Sequence, residues 1–275
     1  MKVEEIEAIF YIEALSNEKK VLERAIAATV ESLKGEKSIE VKEISVGDIL
    51  EEEEEEFLKY SGVIEARVKG SFRNIAVAAL KYSPAVVEVL KPGKMEISAQ
   101  ELMDILGDVA VFMAHLMERF GGLALYPKLD DVPEPQIGYS REEIEAMIIE
   151  DRQILYRFVA EIFDKDEESA RINMAKALYY EGCNINKLTI QKAPDSDKKL
   201  LMAAEVLSDF ETLFQLMAKY VPVALSIIEP EIIDVTAGEL QNVLTDIAGF
   251  VQELITRPLK KQMIEKANTT FKLNP

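Results

Sequence analysis

One stretch of the sequence occurs twice, and this repeat decides the fold. Residues 62–119 read GVIEARVKGSFRNIAVAALKYSPAVVEVLKPGKMEISAQELMDILGDVAVFMAHLMER, and residues 200–257 read LLMAAEVLSDFETLFQLMAKYVPVALSIIEPEIIDVTAGELQNVLTDIAGFVQELITR. A shift of 138 positions aligns the two without a gap, and 16 of the 58 aligned positions are identical. The alignment predicts an internal duplication, which has to be recognised before a fold is assigned.

The first copy is predicted to alternate strands and helices. Apolar residues recur at every second position in the strands and at helical spacing in the helices. The predicted strands and helices, in chain order, are Ile6–Ala14, Val21–Leu33, Ser38–Ser45, Val63–Gly70, Phe72–Tyr82, Ala85–Leu90 and Ser98–Phe120. The order β-α-β-β-α-β followed by a long helix resembles the element order of the ferredoxin-like plait. That plait serves many unrelated functions, so it implies none of them.

The repeat also sets the predicted domain boundaries. We expect a first α+β repeat over residues 1–125, a proline-rich linker over 126–140, a helix-rich α+β second repeat over 141–258 and a tail over 259–275. Each repeat is close to the usual size of a domain.

Two segments of the second copy carry conflicting signals. The repeat alignment predicts a strand at Glu143–Glu150, whereas an apolar stripe at helical spacing from Ile144 to Ile162 favours one helix over Glu143–Phe163. Leu200–Leu207 aligns with a strand of the first copy, but its composition favours a helix from Asp197 to Tyr220. We favour the helix in the first segment and leave the second open. A mostly helical C-terminal half is the alternative fold.

Composition excludes several classes of function. The net charge of −18 argues against binding nucleic acid or anionic membranes, because such binding needs clustered lysine and arginine. The mostly apolar stretch Val221–Ile228 is too short to cross a bilayer. The single cysteine, Cys183, excludes an intramolecular disulfide and fits a reducing compartment. The sequence therefore predicts a soluble cytoplasmic protein whose partner is a protein or a second copy.

A repeated tyrosine is the candidate ligand-binding residue. Lys81-Tyr82-x-Pro84 and Lys219-Tyr220-x-Pro222 both follow helical patterns, and each proline ends its helix. Tyr82 and Tyr220 are ligand-binding candidates, but a half-buried packing role is favoured for both.

A metal site on the repeated helix is a further hypothesis. Asp104, Asp108 and His115 lie on one stripe of the predicted helix, where carboxylates and an imidazole could meet a divalent metal. The same spacing is also typical of a solvated helix face. The sequence contains no phosphate-binding glycine loop and no Gly-x-Ser-x-Gly motif.

These patterns favour a non-enzymatic protein without a cofactor. The strongest common feature of the two copies is the long amphipathic helix, Ser98–Phe120 and Thr236–Arg257, which packs either on the other copy or on another chain. We therefore predict a structural or interaction protein that acts through helix-mediated self-association or partner association. The alternatives are a small-ligand module with a cleft between the repeats and a metal-dependent enzyme.

Overall fold

The computed structural model describes residues 4–51, 58–122, 129–193 and 199–270, with side chains described as far as Pro258. Part of the predicted linker, residues 126–128, lies outside these ranges, as do residues 271–275 of the predicted tail.

The first sheet has the strand order of a ferredoxin-like plait. Its elements are β1 (Glu5–Ser16), α1 (Lys19–Lys34), β2 (Glu40–Val46), β3 (Leu50–Glu51), β4 (Tyr60–Ser71), α2 (Phe72–Tyr82) and β5 (Val86–Lys91). The antiparallel order is β2-β4-β1-β5, with the short β3 paired to β4. Alternation along β1 puts one face in the core, where Ile6, Ala8 and Phe10 are fully buried.

The second sheet repeats this order. The chain runs through β6 (Lys94–Ser98), α3 (Ala99–Phe120), a 3-10 turn at Leu129–Asp131 and α4 (Arg141–Ile149). The second set of elements is β7 (Ile154–Ile162), α5 (Glu167–Tyr180), β8 (Asn184–Lys192), β9 (Leu200–Ser208), α6 (Phe210–Tyr220) and β10 (Ala224–Glu229). Its antiparallel order β10-β7-β9-β8 matches that of the first sheet, strand for strand. The predicted α+β class and ferredoxin-like order are confirmed.

The predicted long helix over Glu143–Phe163 is wrong beyond Ile149. Helix α4 ends there, Arg152 adopts a left-handed φ of 56°, and β7 begins at Ile154. The stripe at helical spacing combined residues of α4 with residues of β7. The first three residues of β7, Ile154 to Tyr156, are all buried, and the alternation of a strand begins only after them. The alternative, a mostly helical C-terminal half, is wrong for the same reason.

The strand predicted by the repeat alignment at Glu143–Glu150 is also misplaced, because helix α4 occupies it. The counterpart of β1 is β7, which begins at Ile154, 149 positions after Glu5. In the second ambiguous segment the repeat predicted correctly: β9 and α6 stand where a single helix was the rival.

Beyond β9 the two copies correspond residue for residue. Helices α2 and α6 begin at Phe72 and Phe210, which occupy the same topological place, 138 positions apart. The final strand β11 (Ile232–Thr236) corresponds to β6, and α7 (Ala237–Thr270) begins at the position that corresponds to the start of α3. The Lys91–Pro92 and Glu229–Pro230 peptide bonds are both cis.

The two compact units do not coincide with the two sequence repeats, because each unit contains the long helix that belongs in sequence to the other repeat. The first unit contains residues 1–95, 115–122 and 236–275, and therefore includes α7. The second contains residues 96–114 and 123–235, and therefore includes most of α3. Accordingly, α7 packs on α2 and β5, and the backbone N–H of Ile227 in β10 donates to Met103 Sδ of α3 at 3.3 Å.

Within the described residues, no helix combines the length and the apolar composition needed to cross a lipid bilayer.

Candidate functional site

Tyr82 belongs to a polar network that joins the ends of α1 and α2. Its hydroxyl lies 3.1 Å from Glu36 Oε2, 3.1 Å from the Ser32 carbonyl oxygen and 3.2 Å from Ser32 Oγ. Lys81 Nζ donates to Glu36 Oε2 at 2.5 Å and lies 4.9 Å from the centre of the Tyr82 ring. The hydrogen bond from Lys81 lowers the pKa of Glu36 to about 2, so this carboxylate is charged at neutral pH. The network has the features of a structural tie.

The second copy retains the ion pair of this network. Lys219 Nζ donates to Glu181 Oε2 at 2.5 Å, with the carboxylate almost buried. Tyr220 is buried, and its ring centre lies 6.2 Å from that of Phe158. The repeated lysine thus pairs with a carboxylate just beyond the preceding helix in both copies.

The three metal candidates lie along α3. Asp104 and Asp108 are one turn apart, and His115 lies two turns further on, exposed and assigned to the other compact unit. Asp104 accepts a hydrogen bond from the side chain of Gln100 at 3.2 Å. The described part of the chain contains no group of three or more His, Cys, Asp or Glu residues that could hold a metal ion.

The second unit contains a buried polar cluster that the sequence analysis missed. The hydroxyls of Tyr156 and Ser208 are 2.9 Å apart, and the Cys183 thiol interacts with the Tyr156 hydroxyl. All three side chains are buried, and this burial raises the pKa of the Cys183 thiol to about 12. The thiol is therefore protonated at neutral pH, which disfavours nucleophilic chemistry at this cluster.

The strand registers of the two sheets show which residues of the first copy stand at the same places. Ala8 corresponds to Tyr156, Gly70 to Ser208 and Ile39 to Cys183. A Cβ atom on Gly70 would lie 3.2 Å from Ile39 Cγ2, so the isoleucine fills the space that the polar groups occupy in the second copy. The duplication gives one signal that could have found the cluster, the change from Gly70 to Ser208.

One face of the first sheet exposes apolar side chains, whereas its other face lies on the core. This open face is formed by the odd-numbered residues of β1 and β4 and the even-numbered residues of β5. Leu15 is 45% exposed, Val63 37% and Val86 48%. Charged groups of both signs stand among them. Arg67 forms an ion pair with the nearly buried Glu7, in which Arg67 Nη2 lies 2.6 Å from Glu7 Oε1.

The open face of the second sheet is partly covered by the chain itself. Ile144 of α4 is buried in one cluster with Leu155 and Leu207, and Tyr139, Met147, Ile148 and Ile228 pack against it. Capping of α4 by Ser140 and Glu143 fixes where this helix starts. In the first copy the residues corresponding to Leu155 and Leu207 are Glu7 and Lys69, which are charged.

An apolar groove of about 560 Å³ lies between α3 and the segment that leads from α6 into β10. Leu106, Gly107, Ala110, Met217, Pro222 and Leu225 are among the residues that line it. Val221, also in its wall, has a left-handed φ of 45°, a conformation that β-branched residues rarely adopt. Val221 is the C-cap of α6, and its counterpart Ser83 caps α2 in the same left-handed conformation.

Comparison with known proteins gives a family and no activity. The family model described as the MJ0538 family matches residues 7–261. The uncharacterized protein MJ0538 of Methanocaldococcus jannaschii is 27% identical over 249 residues, which cover 88% of this chain and 94% of that protein.

Two solved structures of mutant chlorite dismutase from Candidatus Nitrospira defluvii, one of them in complex with cyanide, show 12% and 11% identity. Both alignments cover 88% of this chain and 95% of that one. Their TM-scores of 0.16 are too low to carry an argument. The family model, in contrast, spans nearly the whole chain, and the protein therefore belongs to the MJ0538 family.

Proposed function

We propose that the protein is a non-enzymatic interaction protein that associates with a second copy of itself through the open face of its first sheet. The observation that carries this proposal is that three apolar residues, Leu15, Val63 and Val86, are exposed on one face of the sheet. Large apolar residues exposed together on one face are a feature of interaction sites.

A second copy fits this face because the face carries both signs of charge. Arg67 and Lys69 stand on the same strand as Glu65, and Glu88 lies on β5, where it accepts a hydrogen bond from the Tyr11 hydroxyl at 2.9 Å. In a twofold-symmetric contact, each face meets an identical one, so acidic groups can be set against basic groups.

The long helices are not needed for this association. The sequence left open whether their apolar stripes pack on the other copy or on another chain. In the structure α7 packs on β5 and α3 on β10, so the stripes are used within the chain. The sheet face therefore replaces the helix as the proposed contact surface.

The test compares two variants of equally exposed valines. Val63 on the open face and Val77 on α2 are both 37% exposed. We expect Val63→Glu to weaken self-association at least tenfold, equivalent to about 1.4 kcal/mol, because a buried unpaired carboxylate opposes docking. Val77→Glu should leave association unchanged. Light scattering during size-exclusion chromatography gives the mass, and a wild-type monomer at micromolar concentration would refute the proposal.

A further inference from the structure

In each sheet, backbone N–H groups of the edge strand point toward a long helix. In the first unit, the N–H of Val87 donates to Thr245 Oγ1 at 3.1 Å and that of Val89 donates to Gln241 Oε1 at 3.3 Å. Helix α7 thus supplies side-chain acceptors to a strand edge that would otherwise be unpaired.

The second unit repeats this arrangement with one acceptor missing. Ile227, the counterpart of Val89, donates its N–H to Met103 Sδ at 3.3 Å. The N–H of Leu225, two residues earlier on the same strand, points in the same direction because N–H groups alternate along a strand. Its partner on α3, at the position of Thr245, is Gly107. Among the described residues, no side chain accepts the Leu225 N–H.

No packing constraint requires glycine at position 107. A Cβ atom built there would meet no other atom within 4 Å. Glycine inside a helix is less favourable than alanine, so this residue weakens α3 without relieving a steric clash. Its effect is to leave the groove open beside the unmatched N–H of Leu225.

The groove has the size and the chemistry of a small-molecule site. Its volume of about 560 Å³ lies within the usual range for ligand pockets, and the residues that line it carry no charge. Asp104 and Asp108 lie within one turn of Gly107 along α3, and the whole chain is strongly acidic. Negative charge so close to the opening disfavours an anionic ligand.

We propose that this groove binds an uncharged, mostly apolar small molecule whose carbonyl oxygen accepts the N–H of Leu225. The carbonyl takes the place that the hydroxyl of Thr245 occupies in the first unit, and the apolar body lies along Leu106 and Ala110. This site is independent of the open sheet face, so its failure would leave the proposed self-association untouched.

Nuclear magnetic resonance of the full-length, nitrogen-labelled protein tests the site with cyclooctanone as the probe. We expect a saturable downfield shift of the Leu225 amide proton and no comparable shift of the Val87 amide, which already has an acceptor. Cyclooctane should not produce the Leu225 shift, and cyclooctanecarboxylate should bind more weakly than the ketone. No shift at Leu225 up to the solubility limit would overturn the proposal, as would equal responses to ketone and hydrocarbon.

Three variants make this test specific. Gly107→Thr supplies the missing hydroxyl and should weaken cyclooctanone binding about tenfold, since one hydrogen bond is replaced and the groove is filled. Gly107→Ala adds a Cβ without an acceptor and should retain the Leu225 shift, which separates the hydroxyl from a general effect on the helix. Thr245→Gly should make the Val87 amide responsive to the ketone. Unchanged cyclooctanone binding by Gly107→Thr would overturn the proposal.

Discussion

Of the contacts described above, the one made by the Glu36 carboxylate links the stability of the first unit most directly to pH. Its folded pKa of about 2 lies below the ordinary value of 4.5, mainly because Lys81 donates a hydrogen bond to it. A group whose pKa is lowered by folding stabilises the native state fully above its unfolded pKa. That stabilisation is lost as pH falls from 4.5 through about 2.

Replacing Glu36 by glutamine should therefore lower the free energy of unfolding by about 1–3 kcal/mol at neutral pH, because the Lys81 ammonium loses a nearly buried charged partner. The loss should shrink as the pH falls from 4.5 toward 2. Urea denaturation at both ends of this window measures it. The control is Glu31→Gln, which breaks only the exposed pair with Lys34 and should cost less than about 0.5 kcal/mol. Equal effects of the two variants would contradict the structural role of Glu36.

Cys183 should be chemically silent in the folded protein. Burial raises its pKa from 9.0 to about 12, so the reactive thiolate is scarce at neutral pH and the sulfur is covered. We expect alkylation by iodoacetamide to be at least about tenfold slower in native protein than in urea-unfolded protein. Because folding raises this pKa, the contribution of Cys183 to the free energy of unfolding is complete below pH 9. It is lost as the pH rises toward about 12. Comparable alkylation rates in both states would contradict the burial of this thiol.

The sequence predicted residue roles well only where the role is local. The capping of α3 by Ser98 depends only on neighbours along the chain, and the Glu101 N–H donates to Ser98 Oγ at 3.2 Å. The Tyr156–Ser208 contact joins residues 52 positions apart, so no local pattern marks it.

At the scale of single elements, the long helices protect the edges of the sheets. Edge strands expose unpaired backbone groups that promote aggregation, and the acceptors on α7 cover those of β5. Removing one acceptor tests this role. Thr245→Val keeps the shape of the side chain but leaves the N–H of the buried Val87 unpaired.

We expect Thr245→Val to cost about 1–3 kcal/mol, the usual penalty for a buried donor without an acceptor. Amide hydrogen exchange at Val87 should accelerate, and chemical denaturation gives the change in stability. Thr256→Val is the matched control, since the Thr256 hydroxyl donates only to carbonyl oxygens of its own helix, at 2.8 Å and 3.4 Å. If exchange at Val87 stayed at the wild-type rate, the hydroxyl of Thr245 would not be its acceptor.

Strand β1 alternates along its length and could be predicted. Strand β7 begins with three consecutive buried residues soon after helix α4, so the two elements together imitated one long helix. The exchange of α3 and α7 was beyond the sequence for a different reason. An apolar stripe indicates that a helix is buried but not against which sheet, and the two copies offer equivalent strands.

At the scale of the whole molecule, net charge opposes the proposed association. Two copies that each carry a formal charge of −18 repel one another, and this repulsion is screened within about 10 Å at 0.1 M salt. An apolar contact should therefore strengthen as salt is added. We expect the dimer dissociation constant, measured by analytical ultracentrifugation, to decrease as sodium chloride rises. A dissociation constant that increased with salt would indicate an electrostatic contact instead.

The exchange of long helices between the two copies rests on two helix-to-strand contacts, one from α3 to β10 and one from α7 to β5. Nuclear Overhauser effects from the Met103 methyl group distinguish the exchanged arrangement from the unexchanged one. We expect a cross-peak to the amide proton of Ile227, the exchanged partner, and one between Thr245 and Val87. A cross-peak from Met103 to Val89, the equivalent strand of its own repeat, without one to Ile227, would contradict it.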